Sequence, residues 1–137
     1  MKINTNEEET PHQTLRIIDA NLNRLREGIR VVEDICRFHK NSKYLSSKLK
    51  TIRHSARLDN FYELLSSRDI INDPLKTTTQ SETHRESIKM IIISNIKRAQ
   101  ESSRVLEEIL KISNKEDAEK FKNIRYELYN LEREILL

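Results

Sequence analysis

Residues 20–35 read ANLNRLREGIRVVEDI, and residues 94–109 read SNIKRAQESSRVLEEI. At an offset of 74, Asn21, Arg24, Glu27, Arg30, Val31, Glu33 and Ile35 meet Asn95, Arg98, Glu101, Arg104, Val105, Glu107 and Ile109. A second echo follows at an offset of 72, where KTIRH (Lys50–His54) meets KNIRY (Lys122–Tyr126). Repeats on this scale dictate architecture. Around the first copy, Ile17, Ile18, Leu22, Leu25, Ile29, Val32, Ile35 and Cys36 recur at three and four, the period of an α-helix. Around the second, Ile88, Ile91, Ile92, Ile96, Ala99, Leu106 and Ile109 do the same. Two helical hairpins related by duplication bury both stripes when packed face to face. The expected fold is all-α, a four-helix bundle of two duplicated hairpins with a long central loop. A pseudo-twofold axis would bring its first and third helices together.

Outward from the repeat, local signals set the expected boundaries. Thr10 can serve as N-cap, Pro11 suits the first helical position and Gln13 can reach back as in a capping box. The first helix then runs to about His39, and Asn41-Ser42 ends it. A second helix is expected from about Lys43 to Leu65. Residues 66–82 hold Pro74 and the run Thr77-Thr78-Thr79 and read as loop. Thr83 with Glu86 offers a capping box for a third helix reaching about Ile112, and Ser113-Asn114 turns the chain into a fourth. Residues 1–9 are polar and acidic and read as a disordered tail ahead of one helical domain over 10–137, with halves 10–66 and 83–137.

Composition narrows the chemistry. Among 137 residues there is one Gly, and there are two Pro. That excludes a Gly-rich phosphate loop and a dinucleotide fingerprint. One Cys excludes an intrachain disulfide and a cysteine-cluster metal site. The 25 Lys and Arg against 22 Asp and Glu are interleaved, unlike the basic stripe of a nucleic-acid binder. No apolar run is long enough to span a membrane, and MKINTNEEET lacks the apolar core of a secretory signal. A cytoplasmic protein is expected, as monomer or homodimer. Di-metal Glu-x-x-His pairs are missing from every expected helix, and HExxH and a Gly-x-Ser-x-Gly elbow are absent from the sequence.

The repeated block itself carries polar groups on its apolar side. Taking about 100° per residue from Asn21, Leu25, Gly28, Val32 and Cys36 share its face, with Arg24 beside them. The second copy places Asn95 and Arg98 in the same way. An amide and a guanidinium sunk into an apolar stripe need partners or a ligand. They could equally fix helix register. Two guanidiniums near a shared axis repel, and an anion between them relieves this. An anionic ligand at the pseudo-axis is therefore expected. Gly28, matched by the small Ser102, reads as a close helix crossing, Cys36 as an inert core thiol and His54 as a hydrogen-bonding boundary residue.

Beyond these residues the chain resembles the small all-helical hydroxymethylpyrimidine-phosphate kinases of thiamine biosynthesis, which stand alone or are fused to thiamine-phosphate synthase. The resemblance rests on RIIDANLNRLREGIRVVEDICRF (Arg16–Phe38), KTIRH, SRD (Ser67–Asp69), SNIKRAQESSRVLEE (Ser94–Glu108) and IRYELYNLE (Ile124–Glu132). Asp73-Pro74-Leu75 stands where family loops usually read Asp-Val-Gly. The resemblance implies ATP- and Mg²⁺-dependent phosphorylation of a hydroxymethylpyrimidine phosphate, with a functional link to thiamine-phosphate synthase. Such chemistry is mostly charge neutralisation and in-line positioning. Residues suited to it are Arg24, Arg98, Arg68 and Asp73 at the reacting phosphates. Asn21, Asn95, Arg53, His54, Arg85 and Arg125 suit substrate and phosphate binding, and Glu27, Glu101, Asp69 and Glu82 suit the metal. A non-catalytic helical module that binds an anionic effector or serves assembly is the competing expectation.

Overall fold

The computed structural model describes residues 11–137, and throughout them the regular structure is helical. The proposed tail over 1–9 and the Thr10 cap lie outside the described residues. Helix α1 spans Pro11–Asp34 and runs into one π-helical turn over Ile35–His39. Asn41 ends it with φ of 52°, the left-handed conformation that a short polar side chain tolerates after a helix. Ser42 then caps α2 (Lys43–Ser55), its hydroxyl accepting the Leu45 N–H at 3.1 Å. The matching turn of the second hairpin uses Asn114, whose side chain accepts the N–H groups of Glu116 and Asp117 at the start of α6 (Lys115–Leu136).

Two expected boundaries move. The second helix does not reach Leu65: α2 stops at Ser55, Ala56–Asn60 bend, and α3 (Phe61–Ser67) begins after Asn60. The matching residues 128–132 of α6 stay helical. Arg57, Asp59 and Asn60 stand where α6 has Tyr129, Leu131 and Glu132, and Asp and Asn favour caps and turns over helix interiors. The expected Thr83–Glu86 box is also displaced. Thr79 and Glu82 form it instead, closing the single turn α4 (Gln80–Thr83), and Ser87 caps α5 (Ile88–Leu110) by accepting the Met90 N–H at 3.2 Å.

The four principal helices α1, α2, α5 and α6 form the bundle. α1 and α5 are its central pair, α2 packs on α1, and α6 packs on α5, while α2 and α6 meet only marginally. Leu25, Ile29, Val32, Ile92, Ile96, Ala99 and Leu106 fill the α1–α5 seam and its flanks. Gly28 sits at the crossing, where an added Cβ would stand 2.9 Å from the Asn95 carbonyl oxygen. α3 folds back onto α1. Among the described residues α5 and α6 carry no such element, so the outer faces of α1 and α5 differ.

Candidate functional site

The repeated residues turn out to divide between structural and surface roles. Asn21 and Asn95 each donate their side-chain amide back to the carbonyl four residues earlier, Ile17 at 2.9 Å and Ile91 at 2.8 Å. Their apolar surroundings are therefore satisfied within their own helices. Arg24 and Arg98 do not sink into the apolar stripe as expected: both are exposed. An anion held between them at the axis finds no room, because Leu25, Gly28 and Ala99 fill the crossing.

The guanidiniums that are buried belong to the second echo of the repeat. Arg53 of α2 donates to both carboxylate oxygens of Glu33 on α1, at 2.6 and 3.1 Å. Arg125 of α6 donates to Glu107 on α5 at 2.8 Å and to the Tyr129 hydroxyl at 3.2 Å. Glu33 and Glu107 are 2% and 5% exposed, and Glu107 is also approached by Arg104 at 3.9 Å, three residues earlier on α5, and by Lys111 at 3.8 Å. The carboxylate hydrogen bonds hold both arginine pKa values above the ordinary guanidinium range. One such pair locks each hairpin.

A cleft of about 570 Å³ lies between α1 and the segment after α3. α1 supplies Arg16, Ile17, Asp19, Asn23 and Arg24, with Asn21 at its edge. The facing segment supplies Arg68, Asp69, Ile70, Asp73 and Pro74. Arg68 docks this segment by a two-pronged bond to Asp19, Nε and Nη2 donating at 2.8 and 2.9 Å. The bond raises the Arg68 pKa. Arg16 Nη2 donates to the Asp69 carbonyl at 2.9 Å. The Asp69 carboxylate accepts from the Asn72 side chain and from the N–H groups of Ile71 and Asn72, which holds its pKa below the usual carboxylate value. Asp73 Oδ1 accepts the Leu75 N–H at 2.9 Å across Pro74. Both acids thus shape the loop. Arg24 faces the cleft with no protein partner among the described residues.

Of the residues singled out from sequence, the cleft gathers Asn21, Arg24, Arg68, Asp69 and Asp73, and Glu27 is close enough to act on the Arg68 charge. Asn95, Arg98 and Glu101 lie on α5 away from it. Arg53 and Arg125 are held in the hairpin locks. Arg85 lies between α4 and α5, where its Nη1 donates to the His84 carbonyl. Glu82 accepts the Thr79 N–H at 3.1 Å in the capping box. His54 is exposed at the end of α2, its pKa lowered by desolvation and by Arg53, Arg57 and Lys50. Among the described residues, no three His, Cys, Asp or Glu side chains converge as a metal-holding group. Sequence reasoning missed Arg16, Asp19 and Asn23. Their spacing of three and four on one face of α1 was the available signal.

A duplicated helical bundle with a polar cleft on one hairpin is the class this geometry defines. The ThiD2 family matches residues 16–134, and the chain belongs to that family. Thiamine-phosphate synthase of Nostoc punctiforme is 37% identical over 130 residues, covering 94% of this chain and 37% of the relative. The enzyme of the same name from Prochlorococcus marinus (strain AS9601) is 39% identical over 129 residues, 91% of this chain and 37% of the relative. That from Rhodopirellula baltica is 38% identical over 128 residues, 90% and 34%. The chain thus spans about a third of the length of these curated relatives. No solved structure matches it significantly.

These relatives correct the expected activity. They are named for thiamine-phosphate synthesis, a different step from phosphorylation of a pyrimidine phosphate, so the kinase assignment does not stand. Thiamine biosynthesis, the link to thiamine-phosphate synthase and the all-α bundle do. No helix among the described residues is long and apolar enough to cross a membrane.

Proposed function

We propose that the chain serves the thiamine-phosphate synthase step and that the α1–loop cleft binds a phosphate-bearing ligand of that step. The observation that carries this reading is the composition of the cleft. Arg24 offers an unpartnered guanidinium beside Arg16 and Arg68, which suits a phosphate. Ile17, Ile70 and Pro74 offer an apolar floor for a heterocycle, and Asn23 offers an amide for its ring edge. The carboxylates Asp69 and Asp73 would favour a ligand that also carries positive charge, as thiamine phosphate does on its thiazolium ring.

Calorimetric titration of the purified chain with thiamine phosphate and with unphosphorylated thiamine tests this. The phosphate ester should bind at least about tenfold more tightly, and Arg24→Ala should erase most of the difference. Equal affinity for the two compounds, or unchanged affinity in Arg24→Ala, would refute the assignment. The same titration with ATP, and with Mg²⁺ added, tests the two cofactors that the family resemblance implied.

A further inference from the structure

At the far end of α1 from the cleft, the turn between α1 and α2 holds a second cavity, of about 370 Å³. Arg37, Lys43 and Lys50 line it, together with Ser42, Ser46 and Ser47. The cations come from both sides of the turn, Arg37 from the π-helical end of α1 and the two lysines from α2. Among the described residues none of the three forms an ion pair. Glu33, the acid in the lining, gives both oxygens to Arg53 at 2.6 and 3.1 Å. Asp34 is ion-paired with Arg30 at 3.3 Å. The backbone of the turn is closed, the Lys40 and Ser42 N–H groups donating to the Ile35 and Cys36 carbonyls. Ser42 then accepts the Leu45 N–H on its hydroxyl and the Ser46 N–H on its carbonyl. The N–H groups of Lys43 and Tyr44, first in the helix, have no intrahelical acceptor.

The duplicated turn shows how the same cations are neutralised from within. Lys115 follows the Asn114 cap of α6 as Lys43 follows the Ser42 cap of α2, and Lys122 repeats Lys50. Yet α6 has Glu116, Asp117 and Glu119 where α2 has Tyr44, Leu45 and Ser47. Carboxylates in a first helical turn offset both the positive end of the helix dipole and the lysines beside it. The first turn of α2 has no acid. Where the first half has Arg37 the second has Lys111, whose Nζ lies 2.7 Å from Glu108. The first hairpin therefore keeps at its turn three cations without an acid of their own, and they border a cavity.

We propose that the cavity at the α1–α2 turn binds the phosphate group of a small phosphorylated compound. Arg37 offers paired N–H donors to its oxygens, Lys43 and Lys50 add charge, and the Ser42 and Ser47 hydroxyls add neutral donors. The start of α2 favours an anion at the same place. The volume lies at the small end of the range for ligand sites, which suits a phosphate monoester. The cavity shares no residue with the α1–loop cleft and does not depend on the reading given to that cleft.

The test uses inorganic phosphate as probe, compared with chloride at equal ionic strength. In the ¹⁵N-labelled protein, the backbone N–H signals of Lys43 and Tyr44 and the Nε–Hε signal of Arg37 should shift saturably with phosphate. The double variant Arg37→Gln/Lys50→Gln, at two exposed positions, should lose about tenfold or more in phosphate affinity. Ser47→Glu installs the acid that α6 carries at that register and should weaken the response in the same direction. Arg24→Ala, in the cleft, should leave the turn signals responding as in the parent. Turn signals that move no further in phosphate than in chloride would overturn the proposal. So would full affinity in the double variant or in Ser47→Glu. Loss of the turn response in Arg24→Ala would also overturn it, assigning the anion to the cleft.

Discussion

A Cβ added to Gly28 would stand 2.9 Å from the Asn95 carbonyl oxygen and 3.4 Å from the Ala99 Cβ. The first contact is with backbone of the facing helix, which yields less readily than a side chain. Gly28→Ala should gain up to about 1 kcal/mol in helix propensity and lose about 1–3 kcal/mol to overpacking. The expected outcome is a lower thermal midpoint, read by calorimetry, and a higher one would mean that α1 and α5 do not cross so closely. The single-residue reading of Gly28 as a crossing was legible because its counterpart Ser102 is also small. The reading of Arg24 and Arg98 as buried was not. A wheel places both beside the apolar stripe, but a long side chain at the edge of a stripe reaches water with its head while its stem stays on the surface.

At the scale of elements, each hairpin is locked by one carboxylate on its first helix and one arginine on its second. Breaking a buried pair from one side leaves an uncompensated charge and costs about 3–5 kcal/mol. Glu107→Gln and Glu33→Gln should each lower the stability measured by urea unfolding. Replacing Glu107 and Arg125 together by apolar residues should recover much of the loss, whereas additive losses would show that the pair does not act as a unit. The sequence displayed every member of both locks, since Glu33 and Glu107 belong to the first echo and Arg53 and Arg125 to the second. Their pairing was hidden, because partners 20 and 18 residues apart meet only once the hairpin turn fixes the register of two helices. The break after Ser55 was missed for a related reason: apolar periodicity continues to Leu65, while Asp59 and Asn60 override it locally.

Across the whole molecule, duplication gives a symmetric frame and the insert between its halves breaks the symmetry. α1 and α5 hold most of the fully buried side chains, whereas residues 68–79 are tied mainly by their own turns and by Arg16 and Arg68. Amide hydrogen exchange should therefore be slowest around Leu25 and Ala99 and fastest in the loop. Loop amides as protected as those of the central pair would contradict this picture. The sequence by itself determined the four principal helices, their duplication and the pairing of the first with the third, because period and repeat are properties of the chain read in order. Tertiary structure alone decided which arginines are drawn into buried pairs and that a cleft forms between α1 and the segment after α3. Each of these depends on what a neighbouring helix or loop brings within a few ångströms, and charge burial is set by that company rather than by position along one helix.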